Sequence, residues 1–165
     1  MRGTATWLAT LSLSVLVLAP GVITADEKHD HSKLPPGPIR DRHELMETQG
    51  EEAENINMAL SGAEGMDTGI IQRDAQAIAV SAARIPSLFP KGSTDPNSRA
   101  LPVIWEKWDD FVNLAKELEH NAQSLSNAAG QGLAEEVQGK AKKMMGTCKS
   151  CHDQFRKPKE EEKGK

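Results

Sequence analysis

Spacing constrains this chain most. In four stretches, apolar residues recur in steps of three and four, the repeat that lines one face of an α-helix. After Pro38, a seam of Ile39, Met46, Ala53 and Leu60 runs seven apart, with Arg42/His43, Gly50 and Ile56/Asn57 between. Ser61-Gly62 ends it. A second stretch opens near Asp67, a good N-cap residue, and carries Ile71, Ala75, Ile78, Ala82, Ile85 and Phe89. The loop from Pro90 to Arg99 breaks that pattern. A third has Ser98 near its start and Pro102 in its first turn, where the missing N–H is harmless. Its seam is Trp108, Phe111, Ala115, Leu118, Ala122, Leu125 and Ala129, closed by Gly130-Gln131-Gly132. The fourth runs from Leu133 through Val137, Ala141, Met144, Cys148, Cys151/His152 and Phe155, and Pro158 is expected to stop it.

Four such stretches joined by short loops predict an all-α, antiparallel four-helix bundle. Composition agrees: 165 residues suit one domain, and the chain has no Tyr, 3 Phe and 3 Trp. Alanine is abundant and favours helices, whereas strands draw on aromatic and β-branched residues. Seams rich in alanine make a thin core that Trp105 and Trp108 fill only in part. A non-protein group in the middle of the bundle is therefore expected.

The first 25 residues lie outside that pattern. A basic start (Arg2), an apolar run from Trp7 to Leu18, the breaker Pro20-Gly21 and the small residue Ala25 form a signal-peptide layout, with cleavage before Asp26. The run is shorter than the roughly 20 residues that span a bilayer, which favours a cleaved export signal and a periplasmic protein over a retained anchor. Residues 26–38 are polar and rich in Pro and Gly and read as a disordered leader; His29 and His31 belong to it. The domain is placed at 39–157 and a solvated tail at 158–165. Losing Arg2 from the 20 basic residues leaves 19 against 24 acidic ones, a net charge near −5. No basic cluster suits nucleic acid, and no membrane span is expected after cleavage.

The only two cysteines, Cys148 and Cys151, stand three apart with His152 directly behind. On a helix all three share a face. In an oxidising compartment a bare pair would form a disulfide, but one closing so short a loop is a poor staple. A zinc site needs four ligands, and a redox dithiol is expected beside a βαβ pattern that this chain lacks. C-x-x-C-H is the pattern for attaching haem c: two thiols add to the porphyrin vinyl groups, and the adjacent imidazole becomes the proximal iron ligand. The expected cofactor is one covalent haem c, held by Cys148 and Cys151 with His152 on the iron.

The chain also resembles the class II c-type cytochromes, the cytochrome c′ family. "CKSCHDQFR" resembles the haem motif at the end of its fourth helix, and "RHELMETQG" the first helix of its low-spin branch, cytochrome c-556. "IPSLFPKGS" and "LPVIW" resemble its second connection and third-helix start. The likeness runs from about Pro38 to Lys157.

Met46 on the first seam is either a core residue, since methionine is a common gap filler, or an axial ligand. The resemblance implies the second role, which makes the iron six-coordinate, low-spin and suited to electron transfer. Gly50, one turn later, costs about 1 kcal/mol relative to Ala inside a helix, and close approach of the porphyrin is one reason to keep it. Arg42 and Arg156 are candidates for propionate or haem-edge contacts. Trp105 and Phe155 are expected to pack, and His43 and His120 to lie at the surface. The expected function is a non-enzymatic periplasmic electron carrier. Its alternative is a five-coordinate NO- or CO-binding haem protein, and a third reading is a haem-free helical interaction module. The partner is an unidentified redox protein, which the acidic net charge suggests is basic. Glu47, Glu51, Glu52 and Glu54 on the first helix oppose a symmetric contact and favour a monomer.

Overall fold

The computed structural model describes residues 34–62 and 65–158. The expected signal peptide, most of the expected leader with His29 and His31, and the expected tail beyond Pro158 lie outside the described residues. Helix α1 spans Pro38–Leu60 and α2 spans Thr68–Ala82. A 3-10 turn at Pro86–Leu88 follows, then a short α3 (Val103–Glu106), α4 (Trp108–Gly130) and α5 (Ala134–Phe155). Pro38 opens α1 at its first position. The domain reaches back before it: Leu34 is buried, and Arg40 Nη2 donates to its carbonyl at 2.6 Å. Residues 34–37 are thus not a free leader. Asp67 caps α2 as its residue type suggested, accepting from Gly69 N (3.0 Å) and Ile70 N (3.1 Å).

Side-chain pairs between neighbours show that α1, α2, α4 and α5 run antiparallel. Gln49 meets Ser81 while the carbonyl of Ala59 receives the N–H of Asp67. Ser126 meets Gln72 and Gln123 meets Gln76; Asn121 meets Thr147 and Lys140 meets Ser124. In each set one position rises as the other falls. The result is the predicted four-helix bundle. Helix α1 packs on α2, α2 on α4 and α4 on α5, but α1 and α5 scarcely touch.

Four expectations need correction. The second seam is buried throughout, yet the α-helix ends at Ala82; Ile85 and Phe89 flank the 3-10 turn, because Pro86 cannot donate within a continuing helix. The third stretch is broken at Lys107 (φ −116°, ψ 49°) into α3 and α4. Ser98 does not cap it: its hydroxyl receives Arg42 Nη2 (3.1 Å) and Ala100 N (3.3 Å). Helix α5 stops at Phe155, before Pro158, because Arg156 turns extended to pair with Ala100.

The core is rich in alanine, as the seams predict. Ala75, Ala79, Ala82, Ala115, Ala122, Ala128, Ala129 and Ala141 are all buried, so α2 approaches α4 and α4 approaches α5 closely. The three phenylalanines, Phe89, Phe111 and Phe155, cluster with ring centroids 4.8 and 5.4 Å apart, and Trp108 stands 5.7 Å from Phe111. Open space remains between α1, α4 and α5, where α1 and α5 fail to meet.

Candidate haem site

That space is a small cavity of about 30 Å³. Helix α5 contributes Thr147, Cys148, Cys151 and His152; α4 contributes Leu114, Ala115 and Leu118; Ile85 closes one edge, and α1 supplies Met46 and Gln49. The structure thus brings the C-x-x-C-H residues and Met46, about 100 positions apart in sequence, onto one cavity. Met144 is fully buried elsewhere and Met58 is exposed. Among the described residues, Met46 is the one methionine on the cavity wall.

The chemistry of the donors fits haem. Both cysteines are free thiols. Burial pushes both up, Cys151 to about 11 with help from its neighbour Cys148. Thiols that stay protonated make poor metal ligands and poor redox nucleophiles. No group of three or more His, Cys, Asp or Glu is arranged for a metal ion among the described residues. His152 is driven down to about 4, first by burial and then by the Arg156 and Arg99 cations, with Asp153 opposing. Its ring is therefore neutral at physiological pH, the form that ligates a metal. The wall from α4 and Ile85 is apolar, as a porphyrin face requires.

The face of α1 is rotated from the expected seam. Arg42, Leu45, Gln49, Ile56 and Ala59 are buried, while Ile39, Met46, Ala53 and Leu60 are each half-buried. A strict seven-residue repeat drifts around a straight helix by about 20° per heptad. Here it traces the rim of the buried face, and of its four residues Met46 lines the cavity. Gly50 falls outside that rim: it is exposed, and a Cβ there would meet nothing within 4 Å.

Arg42 is buried and spends its guanidinium on the loop before α3. It donates to Ser93 Oγ and Ser93 O (both 2.8 Å) and to Ser98 Oγ (3.1 Å), and lies 4.7 Å over the Phe89 ring. It does not line the cavity. Arg156 is exposed just beyond α5, close enough to His152 to lower its basicity. Trp105 donates to Phe89 O (3.1 Å), and Phe155 is core. His120 is exposed and His43 half-buried, 3.6 Å from Glu47.

Sequence reasoning missed two polar clamps at the cavity. Gln49 Nε2 donates to Ser81 Oγ (2.8 Å), tying α1 to α2. Asn121 Nδ2 donates to Thr147 Oγ1 (3.0 Å), tying α4 to α5 beside Cys148. The available signal was a polar residue at a buried helical phase: Gln49 stands seven after Arg42, and Asn121 beside seam residue Ala122. Arg99 was also missed, since nothing in the sequence joins it to residues 156–157.

Comparison with known proteins agrees with this geometry. The sequence pattern described as Cytochrome C' matches residues 37–156. The cytochrome c' of Rhodopseudomonas palustris is 34% identical over 121 residues, covering 72% of this chain and 80% of that one. Cytochrome c-556 of Agrobacterium fabrum is 27% identical over 125 residues, covering 73% and 81%. The solved structure of cytochrome c' from Rhodopseudomonas palustris superposes with a TM-score of 0.67 at 29% identity, covering 76% of this chain and 99% of that one. The chain, with Cys148, Cys151 and His152 as its C-x-x-C-H motif, therefore belongs to the cytochrome c' family of non-enzymatic haem proteins, which bind one haem c covalently through that motif.

Proposed function

We propose that this protein is a periplasmic electron-transfer cytochrome whose six-coordinate, low-spin haem has His152 as proximal and Met46 as distal ligand. The observation that carries the reading is the cavity itself: Met46 on α1 lines the same space as Cys148, Cys151 and His152 on α5. When bound, the haem supplies a one-electron Fe(III)/Fe(II) couple, and methionine ligation raises its potential. The chain's residues set the conditions. Cys148 and Cys151 anchor the porphyrin, and His152 offers a neutral imidazole. Leu114, Ala115, Leu118 and Ile85 keep water from its faces. The export signal read at residues 1–25 and the family's typical periplasmic location support the compartment. Arg156 remains the proposed haem-edge contact, by its exposed place one turn beyond His152, whereas Arg42 spends its guanidinium on Ser93 and Ser98.

The second reading is a five-coordinate, gas-binding protein, favoured by the higher identity to a relative named cytochrome c' than to one named c-556. Absorption spectra separate the two. The first requires a low-spin ferric spectrum with a methionine-to-iron charge-transfer band that Met46→Ala abolishes, leaving high-spin iron that binds CO rapidly after reduction. A wild-type protein already high-spin, or a Met46→Ala spectrum unchanged from wild type, would sink it.

A further inference from the structure

The whole chain carries a formal net charge of −4, yet its charge is not evenly spread around the haem site. Arg156 follows His152 by four residues, about one turn of helix. There the backbone becomes extended, and Arg156 pairs with Ala100 in an isolated antiparallel bridge. The pairing brings Arg99 alongside. Lys157 N donates to Arg99 O (2.8 Å), and Arg99 Nε and Nη2 both donate to Lys157 O (3.2 and 2.7 Å). Lys157 Nζ donates to Ser98 O (3.2 Å). All these bonds end on carbonyls, so they fix the cations without neutralising them. No carboxylate lies within ion-pair distance of Arg99, Arg156 or Lys157 among the described residues. The neighbouring Asp153 is held by Lys149, and Asp95 Oδ1 accepts Asn97 N. Arg156 and Lys157 are exposed and Arg99 is half-buried.

We propose that this cation cluster, formed by Arg99, Arg156 and Lys157 at the end of α5, is the surface through which the protein exchanges electrons, and that its partner presents an acidic face. The assignment rests on the electron-transfer reading but not on the identity of the distal ligand. A charge is felt over about a Debye length, 8–10 Å at moderate salt. Docking orientation is therefore biased by the fixed cations beside the cavity. This reverses the sign of partner that net charge alone suggests.

Salt dependence of electron exchange by the reduced holoprotein tests it. Hexacyanoferrate(III) takes one electron from ferrous haem, giving ferric haem and hexacyanoferrate(II), with no proton moved. The rate constant should fall as salt rises, while reduction of the ferric protein by cationic hexaammineruthenium(II) should speed up. Arg156→Gln should slow the hexacyanoferrate reaction about threefold to tenfold at low salt and flatten its salt slope, and Arg156→Lys should restore the slope. Poly-glutamate, standing for an acidic protein face, should inhibit the wild-type reaction and poly-lysine should not. A hexacyanoferrate rate that rises with salt, an unchanged slope in Arg156→Gln, or indifference to poly-glutamate would overturn the proposal. Failure of the electron-transfer reading shows separately, as a high-spin wild-type spectrum.

Discussion

At the residue scale, the least comfortable group is Glu52. Its Oε2 is buried without a hydrogen-bond partner among the described residues. Burial, then Asp74 and Glu51, raise its pKa. Asp74 is itself buried and engaged by Arg73, with Nε–Oδ1 2.6 Å and Nη2–Oδ2 3.1 Å, so that cation is committed. A carboxyl whose pKa is raised on folding contributes its full stability below the ordinary carboxylate value. That contribution is lost as pH climbs through the raised value. Glu52→Gln should therefore raise the melting temperature at pH 7, with the gain vanishing towards pH 4. Thermal melts across that range check it, and a lower melting temperature at pH 7 would contradict it. Glu52 was legible in sequence only as one of several outer-face glutamates; its burial against α2 depends on how α1 is rotated.

At the element scale, helix register is held by buried polar pairs as well as by apolar seams. Asn121 and Thr147 are 3% and 5% exposed, so removing one partner leaves the other without water. Thr147→Val should destabilise by about 1–3 kcal/mol. Adding Asn121→Leu should recover part of that loss, because no donor is then left unpaired. Urea titrations of the two single variants and the double give the coupling, and strictly additive losses would show that the pair does not act as a clamp. The seams of α2, α4 and α5 were readable because three- and four-residue steps follow from helix geometry alone. The break at Lys107 was not: Trp105 Nε1 must reach Phe89 O, a partner 16 residues away that no local pattern names. The early end of α5 has the same kind of cause, since Phe155 O receives Leu101 N and Arg99 O receives Lys157 N.

For the whole molecule, the haem completes the bundle. Helices α2, α4 and α5 pack continuously, but the contact between α1 and α5 is slight and the cavity lies between α1, α4 and α5. A haem-free Cys148→Ser/Cys151→Ser protein should lose helicity and melt lower, by more than about 10 °C. Amide hydrogen exchange should show protection lost first in the half of α1 around Met46. Equal melting with and without haem would mean that the porphyrin adds nothing to the core.

The sequence by itself determined the fold class and the haem attachment. Amphipathic spacing dictates helices, and Cys148, Cys151 and His152 share a face because they are neighbours on one helix. Only the tertiary structure decided which methionine faces that motif and where the neighbouring charges fall. Met46 reaches the cavity because α1 stands off α5. Arg99 meets Arg156 because two distant segments pair backbone to backbone. Local physics fixes what one helix turn can hold, whereas contacts between distant residues exist only once the helices have packed.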